Sequence, residues 1–339
     1  MAQTAAQSAG THTVTPGDPR PPGDSDAAQG LDIKARTQSQ LIVRRFLRHR
    51  GAVAGMILLG FVLVLSVSSI GLGPIPGWWD KNYVNSADLV NKGRPTLSVV
   101  PGFLGGGGMH LGEHPFGQDN IGRDYFALTM RGTQISLLIA FITGVVATVT
   151  GTLIGAAAGF FRGRLEAVLM RITDVMITIP TILFAAMVAV MWGNKGVAVL
   201  GLVLGLVTWT QVARLVRGEV LSIREKEFIE AARSVGTSAA RIIVKHILPN
   251  VIGIIIVSVT LAISAAVLLE SALSFLGLGV QPPDTSLGRI INEYRTAMVT
   301  RPWLFYWPGI FIIAIALSVN FIGDGLRDAF DPRQNRVRD

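Results

Sequence analysis

At 339 residues, with 50% hydrophobic and only 15% charged side chains, the chain has too little polar surface to cover a soluble protein of its size, and it belongs in a lipid bilayer. It has no cysteine, which excludes disulfides, thiolate metal sites and thiol nucleophiles. Its net charge of +8 comes from basic residues that flank apolar runs, so the charge speaks for orientation in membrane lipid and against nucleic acid as a partner.

Residues 1–40, rich in Gly, Pro, Ser, Thr, Gln and Asp, hold no apolar run able to offset the entropy of ordering, and are expected to be a disordered cytoplasmic segment. With no short apolar core followed by a cleavage site, that segment is not read as a signal peptide, and the first membrane helix becomes the insertion signal. Windows long enough to cross about 30 Å of hydrocarbon lie near Val53–Leu72, Ser136–Phe160, Ile172–Met191, Val197–Val216, Val251–Phe275 and Trp303–Ile322. They predict an all-α membrane protein of six transmembrane helices. Its organisation is a first helix with a basic flank over 41–72, an extracytoplasmic segment over 73–135, a five-helix core over 136–326 and a cytoplasmic tail over 327–339.

Arg44, Arg45, Arg48 and Arg50, then Arg162, Arg164 and Arg171, then Arg214 to Lys245, then Arg327 to Arg338 all fall on one side if the N-terminus is cytoplasmic, which places both termini inside a cytoplasmic membrane. Trp303, Tyr306 and Trp307 are placed like an aromatic belt at the outer face. Gly151, Gly155 and Gly159, with Ala147 one turn earlier, and Gly201 and Gly205 repeat every four residues, the spacing that lets helices touch closely in lipid; packing explains them better than a translocation path. In the second long outer segment, Leu287, Ile290, Ile291, Tyr294 and Met298 form the stripe of an amphipathic helix over 285–300, with Asp284, Thr285 and Ser286 as possible caps, expected along the outer interface.

The loop over 219–250 is the most informative stretch. From Phe228, positions i+3, i+4 and i+7 are Ala231, Ala232 and Val235, a narrow apolar stripe whose alanines allow another surface to come close, and Glu230 sits beside it. Gly236 suits a left-handed helix stop, Thr237 or Ser238 can cap a second short helix, and Pro249 fits the first turn of the membrane helix that follows. Glu230-Ala231-Ala232, Gly236 and His246-Ile247-Leu248-Pro249-Asn250 together resemble the EAA motif of ABC-importer permeases, in the form seen in the peptide and nickel branch, where His replaces the more general Ile.

Other blocks resemble the C-type subunit of dipeptide and oligopeptide permeases: His114 to Asp124, Met170 to Asp174 leading to Pro180, Glu270 to Gly279, and Asp324 to Arg333. The resemblance covers roughly Arg44 to Arg333 and implies the type I importer permease fold. It also implies a second permease subunit, two ATP-binding subunits that receive the EAA loop at Phe228, Glu230, Ala231, Ala232, Gly236 and Pro249, and an extracytoplasmic peptide-binding protein. The implied cargo is a dipeptide or oligopeptide, with nickel or glutathione as the alternatives.

No catalytic, cofactor or metal site is expected in this chain. His110-Leu111-Gly112-Glu113-His114 fits an inverted zinc-peptidase signature, but Gly112 inside it and Pro115 after it oppose the helix that signature needs. A P-loop requires Gly-Lys-[Ser/Thr], and the chain has none, so ATP must be bound by other polypeptides. Ionisable groups inside spans signal function: Glu270 is the candidate for the translocation path, while Asp174 lies near enough to the surface to be solvated or to pair with Arg171. A secondary transporter built on Glu270 and Asp174 is the rival from another class. An intramembrane Ser-His protease is excluded, because the spans contain no histidine.

Overall fold

The computed structural model describes residues 38–98, 108, 110–192 and 195–330. The chain divides into two units, 1–41 and 42–339, and the second carries the fold described below. The expected disorder of residues 1–37 and the end of the tail, 331–339, lie outside the described residues. Gln38–Gln40, expected in the disordered segment, are already helical.

The predicted first helix is two. α1 (Gln38–Arg48) ends at His49, whose extended backbone breaks the helix, and α2 (Arg50–Ile70) begins there, capped by the His49 ring accepting from the Ala52 N–H at 3.0 Å. After α2 a small antiparallel hairpin, β1 (Gly71–Leu72) and β2 (Ile75–Pro76), turns the chain back. Gly71 must be glycine: its φ is +78° and a Cβ would fall 2.0 Å from the Ile75 carbonyl oxygen.

α3 (Tyr125–Phe161) is the axis of the molecule. Its 37 residues make a rod of about 55 Å, starting eleven residues before the predicted span because Asp124 caps it through the Ala127 N–H at 2.8 Å. The early turns were hidden from a hydropathy window by Thr129, Arg131, Thr133 and Gln134. Thr129 and Thr133 bond back to carbonyls four residues earlier, and Gln134 donates to the Ser66 and Gly71 carbonyls, so polarity there is spent inside the protein. The small-residue stripes pack as expected. A Cβ at Gly151, Gly155 or Gly159 would meet the neighbouring α7 (Thr210–Arg224) at 2.5–2.9 Å, and one at Gly201 or Gly205 of α6 (Val197–Thr208) would meet Ile142 or Val146 of α3.

Predicted spans three and four are both broken. α4 (Gly163–Thr178) and α5 (Thr181–Trp192) meet at 91°, and α6 and α7 at 49°. The first break follows from Pro180, which drives Ile179 into an extended conformation (φ −79°, ψ 126°). At 12 residues each, α5 and α6 reach only about 18 Å, so neither crosses alone; they pack on each other, and around Ala185, Val188, Leu200 and Leu204 form their own core with Ile135 and Ile139. Among the described residues, four helices, with Ala239–Phe275 taken as one, satisfy the length and hydropathy of a membrane span, and the number rises to as many as six spans if each bent pair is one.

The chain then runs through α8 (Glu227–Ser234) and α9 (Ala239–Ile242) into α10 (Leu248–Phe275), with α11 (Leu287–Tyr294) and α12 (Trp303–Phe330) completing the bundle. α11 packs its apolar face into the bundle. Leu287 and Ile290 are fully buried, packed in the core shared with α3 and α12, and a Cβ at Gly288 would meet the Ser271 backbone of α10. Trp307 stacks on Phe116 at 3.8 Å, and of Trp303, Tyr306 and Trp307 only Tyr306 is exposed.

Candidate functional site

The loop over 219–250 folds into a short helix hung from the α7 end of the bundle. α8 buries one side chain completely, Ile229, against Val220 and Ile223 of α7, Ile242, Ile247 and the end of α3 at Phe160. Ala232 packs partly against the same cluster. The opposite face carries Phe228, 42% exposed, Ala231, and Val235, 85% exposed, with Glu230 beside them. The predicted stripe is therefore divided: its Ala232 edge turns inward and Phe228, Ala231 and Val235 face out. An apolar ridge on a helix fixed by its other face is what a partner with a groove requires.

Two features fix the angle of α8. Gly236 has φ +79° and closes the helix with a six-residue turn: the Thr237 N–H donates to Ala232 O at 3.1 Å and the Gly236 N–H to Arg233 O at 2.9 Å. No atom of the chain lies within 4 Å of a Cβ placed there, so the demand for glycine is conformational rather than steric. The second is cationic. Arg233 lies over the Phe160 ring at 5.0 Å, Arg224 donates to the Phe160 carbonyl, and Arg162 pairs with Glu225 at 2.6 Å. Sequence reasoning missed these contacts and the Ile229 anchor. The signal for Ile229 was its place on the face opposite Phe228 and Val235.

Pro249 does not open a helix after a turn. α9, a π-helical turn over Ile243–Ile247 and α10 run on without a break from Ala239 to Phe275. Proline has no N–H and its ring crowds the carbonyl four residues back. The π turn, in which the Leu248 N–H reaches Ile243 O, opens room there, and the Asn250 side chain donates to His246 O at 2.7 Å. Ser238 stands at the start of α9 without a side-chain capping bond.

Glu270 is at the other end of α10 and is 0% exposed. Ser136 of α3 donates to its Oε2 at 2.9 Å and Ser274 donates to Oε1 at 2.6 Å, with Ser286 beside the same carboxyl group. Ser136 Oγ also accepts the Leu287 N–H, and Ser274 Oγ the Val280 N–H. The structure thus places the predicted path residue inside a knot joining α3, α10 and the start of α11, where nothing outside the subunit reaches it. Asp174 pairs with Arg214 of α7 at 2.5 Å, not with Arg171, and both side chains are about half exposed.

The block from His114 to Asp124 forms a second polar centre, next to α11. Asp124 accepts from Trp79 at 2.9 Å and faces His114 Nδ1 at 2.7 Å, both buried. Asp119 Oδ2 accepts from Arg123 at 2.6 Å and Tyr294 at 2.8 Å, and Glu293 receives Arg123 at 2.7 Å. Burial, reinforced by the Asp119 and Glu293 carboxylates, holds the Tyr294 phenol well above its ordinary range, so it remains a donor. His110 and His114 do not share a helix, and no group of three or more candidate metal ligands exists among the described residues.

Residues 151–336 match the family of binding-protein-dependent transport system inner membrane components, and residues 37–83 match the N-terminal transmembrane domain of oligopeptide transport permease C. The chain belongs to that transport family. It is similar to the oligopeptide transport system permease protein OppC of Mycobacterium tuberculosis, 38% identical over 300 residues covering 88% of this chain and 96% of the relative. The OppC of Haemophilus influenzae is 33% identical over 309 residues, 91% and 93% of the two chains. The backbone of the present chain resembles a chain of the inward-facing MetNI methionine ABC transporter with a TM-score of 0.50 at 19% identity, covering 60% of this chain and 97% of that one, a likeness of fold. This OppC-like ABC permease is a multi-pass inner-membrane transport subunit with the type I importer fold, and ATP hydrolysis lies in separate subunits.

Proposed function

We propose that this permease carries peptides into the cell, taking its driving force from two ATP-binding subunits through the exposed ridge of α8. The observation that supports this reading is the division of α8 into a face buried by Ile229 and a face offering Phe228, Ala231 and Val235. A loop helix with no protein partner has no use for a bare apolar ridge locked at a fixed angle by Gly236 and Arg233. The peptide cargo rests on the likeness to oligopeptide permeases.

The complete importer would comprise this chain, a second permease subunit, the two ATPases and an extracytoplasmic peptide-binding protein, with α8 and both termini of this chain in the cytoplasm. The basic residues around α8 and at the ends of α1 and α12 support that orientation. An ion-coupled transporter finds no support at its two carboxylates: Glu270 is sealed in the bundle, and Asp174 is matched by Arg214.

The test is a cysteine at Val235 in the otherwise cysteine-free chain, purified with its co-expressed partners and treated with a short bifunctional thiol reagent. The expected product is a cross-link to an ATP-binding subunit, and ATP-dependent peptide uptake in vesicles that survives collapse of ion gradients. Uptake that follows an ion gradient without ATP, or a Val235 that cross-links to no ATPase, overturns the proposal.

A further inference from the structure

The half of α1 from Ile42 onward has two unlike faces. Ile42, Arg45, Phe46 and His49 are partly buried, Phe46 and His49 lying beside Gly325 of α12, with His49 Nε2 3.4 Å from Asp328. The other face holds Val43 and Leu47, both 56% exposed, flanked on one edge by Arg44 and Arg48 and, at the start of α2, by Arg50, all exposed. No acidic residue occurs from Ile42 to Arg50.

The position of this face narrows what covers it. His49 joins α1 directly to α2, a membrane span of 21 residues, by capping it, so α1 sits where a span enters the bilayer. At that depth the medium changes from hydrocarbon to headgroup. A strip of two aliphatic side chains bordered by guanidinium groups matches a surface of acyl chain ends beneath phosphates. The packed face fixes the rotation of the helix, so Val43 and Leu47 cannot turn away into the bundle.

We infer that the exposed face of α1 is an interfacial lipid-binding surface, in which Val43 and Leu47 enter the acyl boundary and Arg44, Arg48 and Arg50 hold anionic phospholipid headgroups. Each arginine near such a surface contributes about a fivefold preference for it. The binding of anionic lipid at this helix is independent of which cargo the permease carries.

The test uses the full chain reconstituted in vesicles of phosphatidylcholine, with or without about a third phosphatidylglycerol, carrying a nitroxide at Leu47→Cys. Both leaflets then have the same composition, and sidedness does not matter. Expected is a label more accessible to oxygen than to a water-soluble nickel chelate, shifted deeper by phosphatidylglycerol. Arg44→Gln with Arg48→Gln should abolish the shift while leaving the protein inserted and folded. A label open to the chelate in both lipids places the face in water and overturns the inference. One shielded from both reagents shows that protein covers the face, and a depth indifferent to phosphatidylglycerol removes the headgroup site; either result also overturns it.

Discussion

Gly236 offers the sharpest test of how α8 is held. Because φ is +79° and no atom of the chain stands within 4 Å of a Cβ there, substitution exacts only the conformational cost of a left-handed residue. For an ordinary L-residue that is about 1–2 kcal/mol, or about a 5- to 30-fold loss in the population of the native turn. A β-branched residue lies at the upper end and asparagine well below. Ile229 and the spans are remote from the turn, so the cost falls on the angle between α8 and α9 and not on the bundle. In the assembled importer, peptide-stimulated ATPase activity and uptake should therefore fall in the order Gly236, Gly236→Asn, Gly236→Ala, Gly236→Val, with equal amounts of inserted protein. Asparagine is the deciding member. If Gly236→Asn is as damaging as Gly236→Val, the partner cannot tolerate side-chain bulk at this point and the turn conformation is not what matters; if all three variants couple normally, the Gly236 turn transmits nothing.

Replacing Glu270 by Ala strips the acceptor from Ser136 and Ser274, and should lower the stability of the purified subunit by about 1–3 kcal/mol, read as a loss of thermal stability in detergent, whereas Glu270→Gln should retain assembly; unchanged stability of the Ala variant would dismiss the knot. Gly155→Ala places a Cβ 2.5 Å from the Ala213 carbonyl oxygen and should destabilise the α3–α7 contact by about 1–3 kcal/mol, while Gly309→Ala, with open space around it, should be neutral in the same measurement. Single cysteines at Ser238 and Val299 should react with an impermeant reagent from opposite sides. Val299 is 93% exposed; labelling of both from one side refutes the proposed topology. Pro249→Ala allows an ordinary helical bond to Lys245 and removes the need for the π turn, so it should preserve insertion but change the ratio of ATP hydrolysed to peptide moved, and an unaltered ratio argues that the π turn has no mechanical role.

The parts of the fold that were legible in the sequence rest on local chemistry. Gly236 announces a left-handed stop because no other residue type is as free there, and the Gly151–Gly159 stripe announces close packing because its period is that of a helix face. Hydropathy located the spans but was blind to direction. A window across Pro180 sums apolar residues on both sides of a 91° bend and reports a single span. The same method cut α3 short, since Thr129, Arg131, Thr133 and Gln134 look like an aqueous segment until the bonds of Thr129 and Thr133 to the α3 backbone, of Gln134 to α2 and of Arg131 to the Gln134 side chain are seen. The site divides along the same line. The exposed ridge of α8 follows from spacing, whereas its anchor at Phe160 and the enclosure of Glu270 by Ser136 and Ser286 join residues far apart in the chain, and no local pattern encodes them.

The continuity from α9 to α10 gives the α8 ridge and the Glu270 knot a mechanical relation. Ala239–Phe275 is 37 residues long, about 55 Å if helical throughout. One end of this rod is joined to α8 through the Gly236 turn, and the other carries Glu270, whose serine contacts tie it to α3 and α11. A rod held by a hydrogen-bonded knot at one end cannot slide freely at the other. A displacement of α8 must bend the rod, move α11 with it, or break the knot. Bending has a natural place at the π turn, where the regular bond pattern is already interrupted. The buried carboxyl group is then better understood as a fastener than as a cargo ligand. Its enclosure costs desolvation, met by the Ser136 and Ser274 hydroxyls, and under the proposed coupling role it would keep the far end of the rod in register with α11 if the α8 end moved.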